Sequence, residues 1–190
     1  MRIPRSLLAP ALFALALVTG HARADEVQEA AAMLRVGNLD GALSRVDQAI
    51  AAKPDNADAR FRRGVILTEQ KRVPEAEVAF VELTQDFPEM PEPYNNLAVI
   101  SAARGDYNRA RVLLETAVRA NPGYTTAYEN LGDVYAALAA EAFGKAYQLD
   151  LKNAGLLAKA EAARKIANIP VRAPTRPPAP SKPTTSTRSR

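Results

Sequence analysis

Most enzyme chemistry needs a nucleophile beside a base, and this sequence is poorly supplied with both. Its one histidine is His21, and it has no cysteine. Disulfides, thiolate metal sites and thiol nucleophiles are therefore excluded. Between Asp25 and Ile169 there are only two serines, Ser44 and Ser101, and no histidine to activate either. Carboxylates are plentiful, but none stands in a pattern beyond that of a charged helical surface. The inventory predicts no catalytic residue, no metal and no cofactor, and leaves binding as the function to be sought.

The elements that would position a binding surface occupy only part of the 190 residues. Arg2 and Arg5 precede an apolar run from Ser6 to Thr19, and "HARA" ends in Ala22-x-Ala24. That is the layout of a secretory signal peptide over residues 1–24, cleaved after Ala24 and too short to span a membrane comfortably. The alternative is an uncleaved inner-membrane anchor. The expected mature protein is exported to the periplasm and carries no membrane span.

The net charge of +4 conceals an asymmetry. From Asp25 to Ile169, 17 Lys and Arg stand against 21 Asp and Glu, whereas the last residues hold Arg172, Arg176, Lys182, Arg188 and Arg190 and no acid. A mildly acidic body thus carries a basic tail. With six prolines and seven Ser or Thr after Ile169, the tail at 169–190 is expected to be extended, mobile and outside any core. Export argues against nucleic acid as its partner.

The body, 25–168, repeats itself. Pro54, Pro88 and Pro122 are each 34 residues apart, as are Ala42, Ala76 and Ala110, then Val46, Phe80 and Leu114, then Ala49, Leu83 and Ala117. Apolar positions recur at helical spacing, Gly105-Asp106 breaks one run, and Pro122 ends the next. A helical hairpin of this kind cannot bury its apolar face alone, so copies must stack. In "PEPYNNLAVISAARGDYNRARVLLETAVRANPGY", Pro91 to Tyr124, Tyr94, Leu97 with Ala98, Ser101, Ala110, Leu114 and Pro122 fall in the slots of W-x2-L-G-x2-Y, A-x3-F and P. The chain resembles the tetratricopeptide repeat family, of an exported proteobacterial type. The second copy departs at Arg60 and Arg63, which predicts a less well packed first helix. Glu26 and Glu29 make the first copy polar, as suits an end unit.

The fourth copy lacks its turn. "YENLGDVY" and "AAEAFGKAYQLD" each fit the pattern, but they join only if a five-residue "GDYNR"-like turn is absent. Leu131, Tyr135, Leu138, Ala142, Ala146 and Leu149 then make one unbroken stripe. Residues 125–149 should be a single helix, about 37 Å long, with Leu157 to Ala167 folding back over part of it. The expected fold is all-α: a right-handed helix–turn–helix solenoid of about three repeats, a fused long helix and a C-terminal capping helix.

The resemblance implies a concave groove, lined by first helices, that holds a protein or peptide. Carried onto this chain, the rows are Arg62, Asn96 and Asn130; Phe61, Asn95 and Glu129; and Val65, Val99 and Asp133, with the amides placed to grip a peptide backbone. Family members that clamp acidic peptide ends use basic pockets. Here those slots hold Val27, Ala31, Glu92 and Asn96, so such an end is not the expected ligand. The primary expectation is a non-enzymatic scaffold or adaptor in cell-envelope assembly or maintenance. The alternative is a homo-oligomer that assembles through the long helix, with Leu138, Ala142, Phe143 and Tyr147 on its contact surface.

Overall fold

The computed structural model describes residues 19–167, and every regular element within them is an α-helix. In chain order these are α1 (Thr19–Arg35), α2 (Leu39–Ala52), α3 (Ala57–Glu69), α4 (Val73–Asp86), α5 (Pro91–Ala103), α6 (Tyr107–Ala120), α7 (Thr125–Leu149) and α8 (Ala154–Ala167). Most of the expected leader, and the basic tail, lie outside the described residues.

Two kinds of punctuation recur. After α1, α3 and α5 the chain enters the left-handed region at Gly37 (φ 76°), Lys71 (φ 64°) and Gly105 (φ 79°). Glycine adopts that conformation without Cβ strain; the lysine does not. The next residue caps the following helix in two of the three turns: Asn38 accepts from the Gly41 N–H at 3.0 Å and Asp106 from the Arg109 N–H at 3.1 Å. Arg72 makes no such cap, and α4 starts instead with Pro74 in its first turn.

The second kind ends α2, α4 and α6. Lys53, Phe87 and Asn121 precede the repeat prolines and are pushed out of the helical region, to φ/ψ of −146°/90°, −135°/66° and −141°/97°. Asp150 ends α7 with the same geometry, −136°/80°, although Leu151 follows it instead of a proline. The turn bond is the same as well. Asn56 donates to the Lys53 carbonyl at 3.1 Å, Tyr124 to that of Asn121 at 3.0 Å, and Asn153 to that of Asp150 at 3.1 Å. The capping helix α8 therefore starts where the first helix of a further repeat would start.

The chain divides into two compact units, with α1–α3 in the first and α4–α8 in the second. In the first, Ala30, Ala42, Val46, Ala49, Ala59 and Ile66 form the core. The expected looseness of α3 is not found. Ala59, Phe61, Gly64, Ile66 and Leu67 are buried, while Arg63 turns outward to Asp47 at 3.0 Å. The Arg63 guanidinium stays at the surface and leaves the apolar face of the helix intact.

In the second unit, Ala98, Ala102, Ala110, Leu114, Ala117, Ala127 and Val134 are buried together. All the second-helix rows read from the sequence lie in the interior, and Val46, Phe80 and Leu114 are fully buried. Glu77 of α4 receives Arg104 at 2.6 Å and Arg109 at 3.3 Å, tying α4 to the α5–α6 turn. Helix α7 is continuous over 25 residues, as its stripe predicts. No helix among the described residues is long and apolar enough to cross a membrane.

Candidate functional site

Helices α5 and α7 are the first helices of successive repeats and pack against each other within the second unit. A row of polar residues on them is buried. Asn95 and Asn130 are fully buried, Asn96 is 4% exposed, Glu92 6% and Asp133 8%. A buried amide must be satisfied. Asn130 Nδ2 donates to Asn95 Oδ1 at 2.8 Å, and Asn96 Nδ2 donates to the Glu92 carbonyl one turn earlier at 2.8 Å. Asn95 Nδ2 finds no acceptor.

The expected rows are therefore joined diagonally. Asn130 pairs with Asn95 of the neighbouring row, and these amides are spent on each other and on backbone instead of standing open. What the face leaves accessible is exposed Glu129 and half-buried Val99, Thr126 and Ala136. In the first unit, Phe61 is buried, Val65 is half-buried, and Arg62 Nε donates to Asp58 at 2.9 Å along its own helix.

Two members of the cluster are not among the expected rows. Glu92 lies one turn before Asn95, in the first turn of α5, where the helix dipole favours its charge. It forms no ion pair among the described residues. Tyr124 precedes α7, and its hydroxyl is buried without a partner. Burial, reinforced by the Glu92 carboxylate, pushes its phenol well above the usual tyrosine range. A carboxylate three residues before an expected groove asparagine is the signal the sequence offers for Glu92. Nothing in the repeat pattern marks Tyr124.

Ser101 Oγ is buried and donates to the Leu97 carbonyl at 2.8 Å, so it is no nucleophile. Among the described residues no group of three His, Cys, Asp or Glu is placed to hold a metal ion. On the distal half of α7, Leu138 packs on the core cluster, Phe143 lies beneath Lys159 Nζ of α8 at 5.5 Å from the ring centre, Tyr147 is half-buried and Ala142 is exposed. Helix α8 thus covers much of the surface expected to need a partner, leaving Leu149 90% exposed at the tip.

A tetratricopeptide repeat family model matches residues 27–91. No curated protein matches the chain. Solved structures of similar fold include a mutant O-GlcNAc transferase of Thermobaculum terrenum, with TM-score 0.57 at 20% identity over 66% of this chain and 24% of that one. A tetratricopeptide repeat protein of Parabacteroides merdae gives 0.56 at 18%, over 78% and 59%. YrrB, a TPR protein with an unusual peptide-binding site, gives 0.53 at 19%, over 77% and 79%. The chain thus spans about a quarter of the first of these proteins and three-fifths of the second. The fold is that of tetratricopeptide solenoids, an architecture that suits protein–protein interaction.

Proposed function

We propose that this protein is an exported, non-enzymatic scaffold that holds an extended protein segment against the α5–α7 face, in the assembly or maintenance of a cell envelope. The observation that carries the reading is the polar row Glu92, Asn95, Asn96, Asn130 and Asp133. Within that row the Glu92 carboxylate has no ion pair and the Asn95 amide nitrogen has no acceptor among the described residues, and a buried polar group costs desolvation unless something repays it. The peptide-binding site of YrrB, on a similar fold, supports it. The leader-like Arg2, Arg5 and Ala22-x-Ala24 pattern supports export.

The test is a crosslinked pull-down from the exported fraction with a photoreactive residue in place of Val99. The expected result is one reproducible polypeptide partner, reduced when Glu129 is changed to Lys. Crosslinks confined to copies of the chain itself, in equal yield in both forms, would favour self-assembly through α7.

A further inference from the structure

The first helices carry a small residue at the repeat interval: Ala30, Gly64, Ala98 and Gly132. The first three are buried, and Gly132 is exposed. The slots on either side of it behave alike. In α5, Tyr94 is half-buried and Ser101 is 2% exposed, whereas their counterparts in α7, Tyr128 and Tyr135, are 49% and 47% exposed. In the third repeat this face is covered by the second helix: Ala98 and Tyr94 share a cluster with Ala110 and Leu114 of α6. Helix α7 has no second helix folded onto it there.

The residues that such a helix would bring are present, but further along the same rod. The rows Ala42, Ala76, Ala110 and Val46, Phe80, Leu114 are fully buried, and Ala49, Leu83, Ala117 are at most 4% exposed. Their counterparts in the fourth copy, Ala139, Phe143 and Ala146, are only half-buried, with Lys159 of α8 over the Phe143 ring. Tyr128, Gly132, Tyr135, Ala139, Phe143 and Ala146 follow one another at intervals of three or four residues, which sets them on one face of α7. Both halves of a hairpin interface therefore lie end to end on a continuous helix. Gly132 and Ala139 are about 10 Å apart along it and cannot meet within one chain.

We propose that this face is occupied by the same face of a second copy, the two α7 helices running antiparallel about a two-fold axis near Tyr135 and Ala136. Gly132 of each chain then meets Ala139 of the other, as Ala98 and Ala110 come together in the third repeat. Tyr128 meets Phe143 of the second copy, ring beside ring. A two-fold contact is self-complementary, so each chain gives and receives the second helix that its own fourth repeat lacks. The Tyr135 ring is already held in place, since its hydroxyl donates to Glu115 at 3.0 Å. No hinge has to open, because α7 is continuous in the single chain. A foreign helix would cover one half of the stripe, whereas a second copy covers both halves with residues of the matching slots. Asn95 and Asn130 are not part of this stripe, so the proposal stands apart from the peptide-binding reading.

The test uses the full chain, which has no cysteine of its own. The double variant Gly132→Cys, Ala139→Cys is compared with each single change under mild oxidation. Within a chain the two thiols are too far apart to bridge, and across the proposed pair only unlike positions face each other. The expected result is a covalent dimer from the double variant, in a yield at least about ten-fold above that of either single one. Light scattering of the unmodified chain should give twice the mass of one chain. Gly132→Phe should weaken the association at least about ten-fold with unchanged helix content by circular dichroism, because a side chain there meets open space in the single chain. A single-chain mass for the unmodified protein would overturn the proposal. So would a single variant that crosslinks as well as the double one, which would mean a different register, or a Gly132→Phe dimer as tight as the original.

Discussion

Asn130 Nδ2 donates to Asn95 Oδ1 over 2.8 Å, so two fully buried amides join the first helices of successive repeats. Truncating Asn130 to alanine leaves both amide atoms of Asn95 buried and unpaired. The expected loss is about 2–3 kcal/mol, read from the urea midpoint of the purified protein. Replacing both residues by leucine removes the polar groups together and should cost markedly less than the two single changes added. Additive losses would show that the bond does not couple the helices.

Gly132 occupies the slot that Ala98 fills in the third repeat, yet the two meet different surroundings. Ala98 is fully buried, whereas a Cβ added at Gly132 would touch nothing within 4 Å. The second helix that would have crowded this position is absent. Gly132→Ala should therefore stabilise by about 0.8–1 kcal/mol through helix propensity alone. Ala98→Val should destabilise by about 1–3 kcal/mol through overpacking. Thermal melts of the two variants are expected to shift in opposite directions.

Lys71 adopts φ 64° where the equivalent turns use Gly37 and Gly105. Gly105→Ala should cost about 1 kcal/mol or more. Lys71→Gly should gain somewhat less than that, because glycine also loses more entropy on folding. Denaturant midpoints measure both. A loss of stability in Lys71→Gly would mean that the lysine side chain contributes more than its backbone strain costs.

Tyr124 links stability to alkaline pH. Its ordinary value is 10.0 and the folded protein holds it higher, through burial first and the Glu92 carboxylate second. The folded state thus favours the neutral phenol. That contribution is complete below pH 10 and disappears as the pH rises toward the folded value. Stability should fall above pH 10, with one of the six tyrosines ionising only as the protein unfolds, seen in near-ultraviolet absorbance. Tyr124→Phe should flatten this fall, and should not destabilise at neutral pH because the hydroxyl has no partner to lose.

Periodicity makes much of the architecture readable from the residues alone. Val46, Phe80 and Leu114 announce a common interior because they recur at the repeat interval, and all three are fully buried. The unbroken stripe from Leu131 to Leu149 likewise marks α7, since the junction "AALAAE" (residues 136–141) holds no residue that favours reversing the chain. The site is less legible for a related reason. A period of 34 aligns Asn96 with Asn130 and invites both to face a ligand, but the helices pack so that Asn130 reaches Asn95. That offset of one depends on how the helices are rotated against each other, which the sequence pattern does not encode. The further repeat start at α8 is hidden because Leu151 stands where proline would have marked it.

The continuous α7 also governs how many units the chain can have. Open stacks expose an end that accepts one more hairpin, and only the arrangement of the last unit prevents growth. Here no turn interrupts α7, and the helix that stands where a next unit would begin packs back along it. The absence of one turn thus occupies the end of the stack. Restoring a turn between Leu138 and Ala139 would reopen the array, and its length could then be varied one hairpin at a time.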